Sequence, residues 1–165
     1  MIENINLSDK KVLLRVDYNV PIENGLVLDD YRIKKSLQTI NYCLEQGAAI
    51  TIMSHLGRPN GIDESLSLRP VADRLSEILN KEVLFSDDCI SDKALLKSTT
   101  LDKGQIHLLE NLRFHEGELD NDANFSKILS FHGDVYINDA FGTAHRAHAS
   151  NVGVVDFFDE YGIGF

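Results

Sequence analysis

Residues 48–59, AAITIMSHLGRP, combine a predicted strand with the first candidate binding residues. The stretch opens with an apolar run from Ala48 to Met53 that is rich in β-branched residues, which predicts a buried strand. The run ends at SHLGRP, where a glycine permits a tight turn and a proline prevents the strand from resuming. His55 and Arg58 therefore follow a strand end directly. For this loop alone, an anion-binding turn and a capped turn with a surface arginine are equally good interpretations.

Other predicted strands end in polar loops of the same kind. The strand at 11–16 is followed by Asp17 and Asn19, the strand at 105–109 by Arg113, and the strand at 134–137 by a long loop containing His145 and Arg146. Because the carboxyl ends of parallel strands share one edge of a sheet, we expect these side chains to meet there. Arg32 joins them if its helix begins at the same edge. A cation in the first turn of a helix interacts unfavourably with the helix dipole, which argues against a purely structural role for Arg32.

The order of the remaining elements predicts an α/β fold. Helices are predicted over residues 31–46, 68–80, 92–97 and 120–131, a further strand over 81–85, and a small hairpin around the Asn-Gly pair at 24–25. Strands that alternate with helices are typical of βαβ units. We therefore expect a Rossmann-like, three-layer architecture, with a parallel β-sheet and helices on both of its faces. Phe114, Phe125, Phe131 and Phe141 are predicted to lie in its core, and His132 on its surface.

Length and composition indicate one domain and narrow the classes of partner. The chain has 165 residues, 43% of them hydrophobic, and a net charge of −10, which argues against nucleic acid and anionic membranes as partners. No apolar run approaches the ~18 residues of a membrane span, and the first residues lack a secretory signal pattern. Two widely spaced cysteines are typical of free thiols in a reducing cytoplasm. The aromatic-rich stretch 156–165 lacks a closing helix, so we expect the domain to be incomplete there.

Several guanidinium groups around one pocket imply a small ligand with more than one negative charge, such as a molecule with both phosphate and carboxylate. Each charge-assisted hydrogen bond is expected to contribute roughly 1.5–3 kcal/mol. Asp17 and Asn19 would add acceptors for a hydroxyl group. The structural alternative for Asp17 is a salt bridge to Arg15 or Arg146.

Three kinds of site are not expected from the sequence. It contains neither a GxxxxGK[ST] loop nor a GxGxxG motif, so no loop for nucleotide phosphates is predicted. The histidines show no metal-ligand spacing: His145 and His148 lie three apart, but no cysteine or carboxylate cluster completes a set. No metal site is therefore expected. No general base and no Ser/His/Asp arrangement stands out either.

Five segments of the sequence together carry a specific resemblance. They are VDYNVP (16–21), DDYRI (29–33), SHLGRP (54–59), LLENLRFHEGE (108–118) and DVYINDAFGTAHRAHAS (134–150). In this order and spacing they resemble the N-terminal domain of the phosphoglycerate kinases, over essentially the whole chain. One such motif would be weak, but five in sequence are specific.

The resemblance implies the substrate-binding half of a glycolytic kinase that transfers a phosphoryl group reversibly between 1,3-bisphosphoglycerate and ADP, giving 3-phosphoglycerate and ATP. It implies that residues 1–165 form the N-terminal domain without the nucleotide-binding domain. Mg²⁺ and ADP or ATP would be bound by that missing domain, and this chain alone would bind 3-phosphoglycerate without turnover. A cytoplasmic, monomeric parent enzyme is expected. The alternative is a non-catalytic anion-binding or interaction module that keeps the fold.

The resemblance also implies roles for individual residues. Arg58, Arg113 and Arg146, with His55, would hold the 3-phosphate, while Asp17 and Asn19 face the hydroxyl and carboxylate end. Arg32 would reach the transferring phosphoryl group and is the expected catalytic residue. Tyr18, which replaces a frequent phenylalanine of the family, completes the expected substrate-binding set together with Leu56 and Gly57.

Overall fold

A computed structural model describes residues 1–142 and 146–165. Its strands are β1 (Lys11–Arg15), β2 (Ile22–Glu23), β3 (Leu26–Val27), β4 (Ala49–Met53), β5 (Val83–Ser86), β6 (Ile106–Leu109), β7 (Val135–Asn138) and β8 (Glu160–Ile163). Its α-helices are α1 (Tyr31–Lys35), α2 (Leu37–Glu45), α3 (Arg69–Leu79), α4 (Asp92–Thr99), α5 (Glu116–Leu119) and α6 (Ala123–Ser130). Short 3₁₀ helices lie at Ile2–Asn4, Glu64–Leu66, Leu112–Phe114 and Gly153–Phe157.

Six strands form one parallel sheet in the order β5-β6-β4-β1-β7-β8, and β2 and β3 form a separate antiparallel hairpin. The central strand β1 pairs with β4 on one side, where Val12 faces Ile50, and with β7 on the other, where Val12 faces Val135. The order of the strands therefore reverses at β1. In parallel sheets, the carboxyl ends of the strands at such a reversal border a crevice in which ligands bind.

Alternate side chains of the sheet enter two separate apolar cores. On one face, Val12 and Leu14 pack in a cluster that contains Ile40 of α2 and Leu75 of α3. On the other face, Leu13 and Tyr136 pack in a cluster that contains Ala94, Phe125 and Leu129, from α4 and α6. Because helices cover both faces, the expectation of a Rossmann-like, three-layer α/β fold is confirmed.

The predicted helix over residues 31–46 is divided at Ser36 into α1 and α2. The buried Ser36 hydroxyl lies 2.6 Å from the carbonyl oxygen of Ile33, to which it donates, and 2.7 Å from the Tyr18 hydroxyl. A serine that bonds the preceding turn competes with regular helix hydrogen bonding, which explains the interruption.

Other expectations about burial were wrong. His132, expected on the surface, is fully buried, and its Nδ1 lies 2.6 Å from the Ser98 hydroxyl. Phe131 and Phe141, expected in the core, are 52% and 55% exposed, whereas Phe125 is buried as expected.

Strand β8 was not predicted at all. Within the described ranges, no helix has both the length and the apolar character to cross a bilayer.

Candidate functional site

A cavity of about 290 Å³ lies among the loops that follow β1, β4, β6 and β7. It is lined by Asp17, Asn19, Arg32, His55, Gly57, Arg58, Arg113, Gly142 and Arg146. The four loops are far apart along the chain and meet because their strands are parallel neighbours around β1. The structure therefore brings together the three arginines and the histidine that the sequence placed at strand ends, and Arg32 from the start of α1 joins them. His145 lies outside the described residues.

Two of the expected ligand contacts, Tyr18 and Leu56, do not line this cavity. The Tyr18 side chain is fully buried, and its backbone N–H donates to the Ser54 hydroxyl at 2.9 Å. Leu56 is 4% exposed, and Asn111 holds its backbone N–H and carbonyl at 3.2 and 2.7 Å. The side chains of both residues are buried in the core, and these hydrogen bonds help to fix the shape of their loops.

His55 is buried and held in one tautomer by Arg15. The Nη2 atom of Arg15 lies 2.9 Å from Nδ1 of His55, and a guanidinium has only donors, so Nδ1 accepts and the ring hydrogen is on Nε2. Burial lowers the pKa of His55 to about 2, with smaller contributions from Arg15, Arg113 and Arg146. His55 is therefore a neutral donor at physiological pH. Arg15, Arg113 and Arg146 therefore all lie close enough to the imidazole ring to disfavour its protonation electrostatically.

A buried chain of hydrogen bonds compensates the charge of Arg15. Arg15 is fully buried, and its Nε donates to the Ser150 hydroxyl at 2.8 Å. Ser150 in turn donates to Oε2 of Glu118 at 2.5 Å, and its backbone N–H donates to Oε1 at 2.8 Å. Burial lowers the pKa of Arg15, and the carboxylate of Glu118 opposes that change. Neither Arg15 nor Glu118 was predicted to support the site; the only signal was an arginine inside the apolar stretch KVLLRV.

Arg113 presents a guanidinium that is only partly satisfied by the protein. Its Nη1 donates to the carbonyl oxygen of Gly57 at 2.9 Å, while its buried Nε has no hydrogen-bond partner among the described residues. Burial lowers the pKa of Arg113, and Arg146 is the next largest cause. An unpaired buried donor costs about 1–3 kcal/mol, which an anion in the cavity would offset.

Arg32 contributes a half-exposed side chain to the cavity wall. Its Nη1 lies 3.3 Å from Oδ1 of Asp17 and 2.8 Å from the carbonyl oxygen of Asn19, to which it donates. Asp17 therefore forms its salt bridge with Arg32, and not with Arg15 or Arg146 as the structural alternative predicted. The amide oxygen of Asn19 accepts from the backbone N–H of Gly57 at 3.0 Å, which connects the loops after β1 and β4.

Arg58 and Arg146 are exposed, and no carboxylate in residues 1–142 or 146–165 forms a salt bridge with either. The cavity thus combines several cationic groups with one carboxylate, in a chain whose net charge is −10. Such a concentration of guanidinium groups suits a small, multiply charged anion.

A second cavity of about 210 Å³ adjoins the first and shares Asp17, Arg32 and Gly142 with it. Its remaining wall includes the aromatic residues Tyr31, Phe141 and Phe165, together with Lys35 and Asp139. Burial raises the pKa of Asp139 to about 6, so this carboxylate is mostly ionised at neutral pH. With two carboxylates, Asp17 and Asp139, against two cations, Arg32 and Lys35, this cavity is the poorer of the two for an anion.

Comparison with known proteins identifies relatives over nearly the whole chain. The family described as "Phosphoglycerate kinase" matches residues 2–165. The phosphoglycerate kinase of Wolbachia sp. subsp. Drosophila simulans (strain wRi) is 51% identical over 160 residues, covering 97% of this chain and 40% of the relative. That of Thermosynechococcus vestitus is 49% identical over 161 residues, with the same coverage of both chains.

Solved structures of phosphoglycerate kinases have the same fold as this chain. Phosphoglycerate kinase from Coxiella burnetii superposes with a TM-score of 0.89 at 41% identity, covering 99% of this chain and 41% of the other. The enzyme from Pyrococcus horikoshii OT3 also gives a TM-score of 0.89, at 36% identity, covering 99% and 42%. The chain spans about 40% of the length of the curated relatives it matches.

Proposed function

This chain belongs to the phosphoglycerate kinase family, and from that premise we propose that its arginine-rich cavity binds 3-phosphoglycerate. The activity proposed for a protein of the relatives' full length is reversible phosphoryl transfer between 1,3-bisphosphoglycerate and ADP, giving 3-phosphoglycerate and ATP. Residues 1–165 would be its substrate-binding domain. A cytoplasmic, monomeric enzyme with neither nucleic acid nor membrane as partner belongs to the same proposal.

The observation that carries the proposal is the convergence of guanidinium groups and a neutral imidazole on one cavity. In the proposed complex, Arg58, Arg113 and Arg146 neutralise the 3-phosphate, and His55 donates from Nε2. The unpaired Nε of Arg113 supplies one of the donors. Each such charge-assisted hydrogen bond is expected to contribute about 1.5–3 kcal/mol. The low pKa of His55 keeps it a donor without the cost of burying another cation.

The opposite end of the ligand is assigned to Asp17, Asn19 and Arg32. Asp17 and Asn19 offer acceptors for the 2-hydroxyl, and the exposed guanidinium of Arg32 faces the transferring phosphoryl group. In the direction that consumes ATP, the nucleophile would be the carboxylate of 3-phosphoglycerate, which is already ionised at pH 7 and needs no general base. Catalysis would then depend on alignment and on charge neutralisation in the transition state. Tyr18, Leu56 and Gly57 maintain the loops that hold these groups.

Mg²⁺ does not fit the donor set of this cavity. The ion prefers carboxylate, phosphate and water oxygens, whereas the cavity offers guanidinium groups and a single carboxylate, Asp17, already paired with Arg32. The sequence also lacks a loop for nucleotide phosphates. We therefore assign Mg²⁺ and ADP or ATP to a part of the protein outside these residues. The chain alone is expected to bind 3-phosphoglycerate without turnover.

The test is a titration of this chain with 3-phosphoglycerate followed by amide NMR. Shifts are expected first around His55, Arg58, Arg113 and Arg146. Arg113→Gln should weaken binding by at least about tenfold, since 1.4 kcal/mol corresponds to a factor of ten. Arg69→Gln is the matched control, because Arg69 is exposed and stacks on Phe85, 4.6 Å from its ring centre, outside the cavity.

Two results would contradict the assignment. The first is the absence of shifts in these loops at millimolar ligand. The second is an equal loss of affinity in both variants, because that would reflect overall charge and not the cavity. Circular dichroism of each variant establishes that the fold is retained.

A further inference from the structure

We propose that Asp88, Cys89 and His115 form a Zn²⁺ site separate from the anion cavity. Asp88 and Cys89 lie between β5 and α4, and His115 follows the 3₁₀ helix Leu112–Phe114. Their potential ligand atoms, one carboxylate oxygen, Sγ and one imidazole nitrogen, all lie within 4.8 Å of one another. Spacing along the chain does not reveal the group, because Asp88 and His115 are 27 positions apart. No metal site was expected from the sequence for that reason.

The set of donors selects the metal. Thiolate, imidazole and carboxylate together suit Zn²⁺, whereas Ca²⁺ and Mg²⁺ require mainly oxygen ligands. Three protein ligands leave the fourth tetrahedral position to water. When the ion binds, the Sγ–H bond of Cys89 is replaced by a Zn–S bond, and the proton is released to solvent.

The geometry requires only small adjustments. Tetrahedral Zn²⁺ with bonds of about 2.0–2.3 Å separates its ligand atoms by roughly 3.3–3.8 Å. Nε2 of His115 and Oδ1 of Asp88 lie 2.6 Å apart, so this pair must open. The other pairs lie within 4.8 Å, so they need to close by no more than about 1.5 Å. The ion takes the place of the hydrogen bond between His115 and Asp88.

The surrounding structure combines a fixed ligand with two adaptable ones. Cys89 is 1% exposed, its carbonyl oxygen lies 2.7 Å from Nε2 of His132, and its N–H donates to Asp88 at 2.8 Å. The side chains of Asp88 and His115 are 33% and 32% exposed. The thiol is therefore held in place by the core, while the carboxylate and imidazole give an ion access from solvent and can move towards it.

The test is a titration of the full chain with Co²⁺, a spectroscopic substitute for Zn²⁺, in the presence of a phosphine reductant. A thiolate-to-cobalt charge-transfer band in the near ultraviolet is expected, together with intense visible bands of a tetrahedral site, and Zn²⁺ should abolish both. Cys89→Ser should lose the charge-transfer band. Cys43→Ser should retain it, because Cys43 is equally buried but is not part of the cluster.

His115→Gln supplies a second variant that does not disturb a buried position. It should weaken Zn²⁺ binding by at least about tenfold in a competition assay with a chelator. The proposal is overturned if the unaltered chain gives no charge-transfer band, if Cys89→Ser keeps it, or if His115→Gln binds Zn²⁺ as tightly as the unaltered chain.

Discussion

Replacing Glu118 with glutamine tests whether a buried carboxylate stabilises the charge of Arg15, which in turn orients His55. Both charged groups are fully buried, and the Ser150 hydroxyl connects them through hydrogen bonds of 2.8 and 2.5 Å. Glutamine has almost the same shape as glutamate, and its amide oxygen can still accept from the backbone N–H of Ser150. The substitution therefore removes mainly the negative charge.

The expected loss of folding stability follows from the distance between the two charges. Two successive hydrogen bonds place Nε of Arg15 roughly 5 Å from the carboxylate, and at an effective dielectric constant of about 20 Coulomb's law gives about 3 kcal/mol. Removing one member of a buried charge pair typically destabilises a protein by about 3–5 kcal/mol, which agrees with this value. For a chain of this size the melting temperature should fall by roughly 6–12 °C.

The assay is urea and thermal denaturation followed by circular dichroism. Glu116→Gln is the matched control, because Glu116 lies on the same short helix and loses the same charge at an exposed position. An exposed change of this kind should alter the free energy of unfolding by no more than about 0.5 kcal/mol. If Glu118→Gln proved no more destabilising than Glu116→Gln, the carboxylate would not be compensating Arg15.

Three further predictions concern strain, pH and catalysis. Gly57 (φ 63°) and Gly61 (φ 83°) both have a left-handed backbone, so replacing either with alanine should cost about 1 kcal/mol of stability. Of the two, only Gly57 would bring the new methyl group against a side chain, that of Leu66 at 2.9 Å. Denaturation should therefore show a greater loss of stability for Gly57→Ala than for Gly61→Ala. Burial lowers the pKa of His107 to about 3 and of His132 to about 4, whereas the unfolded chain binds protons below about pH 6.5. Stability should therefore fall as pH drops from 6.5 to 4, by about 1.4 kcal/mol per pH unit for each ring, and imidazole NMR signals that titrate near pH 6.5 would contradict this. In a protein of the relatives' full length, Arg32→Ala is expected to lower kcat by a factor of about 10²–10³ with a smaller change in KM; steady-state kinetics in which KM alone changes would make Arg32 a binding residue only.

Local sequence patterns were sufficient to predict most strands of the sheet. Strand β4 was predicted within one residue, because its apolar, β-branched run ends at a glycine and a proline. Strand β8, with the sequence EYGI, has no such run and forms because β7 is available as a parallel partner. The break at Ser36 also escaped prediction, since it depends on a hydrogen bond to Tyr18 in a different part of the chain.

The candidate site was predictable to the extent that topology determines it. Arg58, Arg113 and Arg146 each follow a strand, so a parallel sheet with neighbouring strands brings them to one edge. The support of His55 by Arg15 was not predictable, because their contact spans 40 positions and neither neighbourhood encodes it. The same applies to Asp88 and His115, which meet only in the folded chain.

The central position of β1 has a consequence for synthesis on the ribosome. Strand β1 pairs with β7, where Val12 lies opposite Val135. The first strand to be translated therefore has one edge without hydrogen bonds until β7 has also been made. Contacts so distant in sequence slow folding, and apolar intermediates with unpaired strand edges are prone to aggregate. The nascent chain should therefore remain a chaperone client until Val135–Asn138 has emerged from the exit tunnel, however early its helices form.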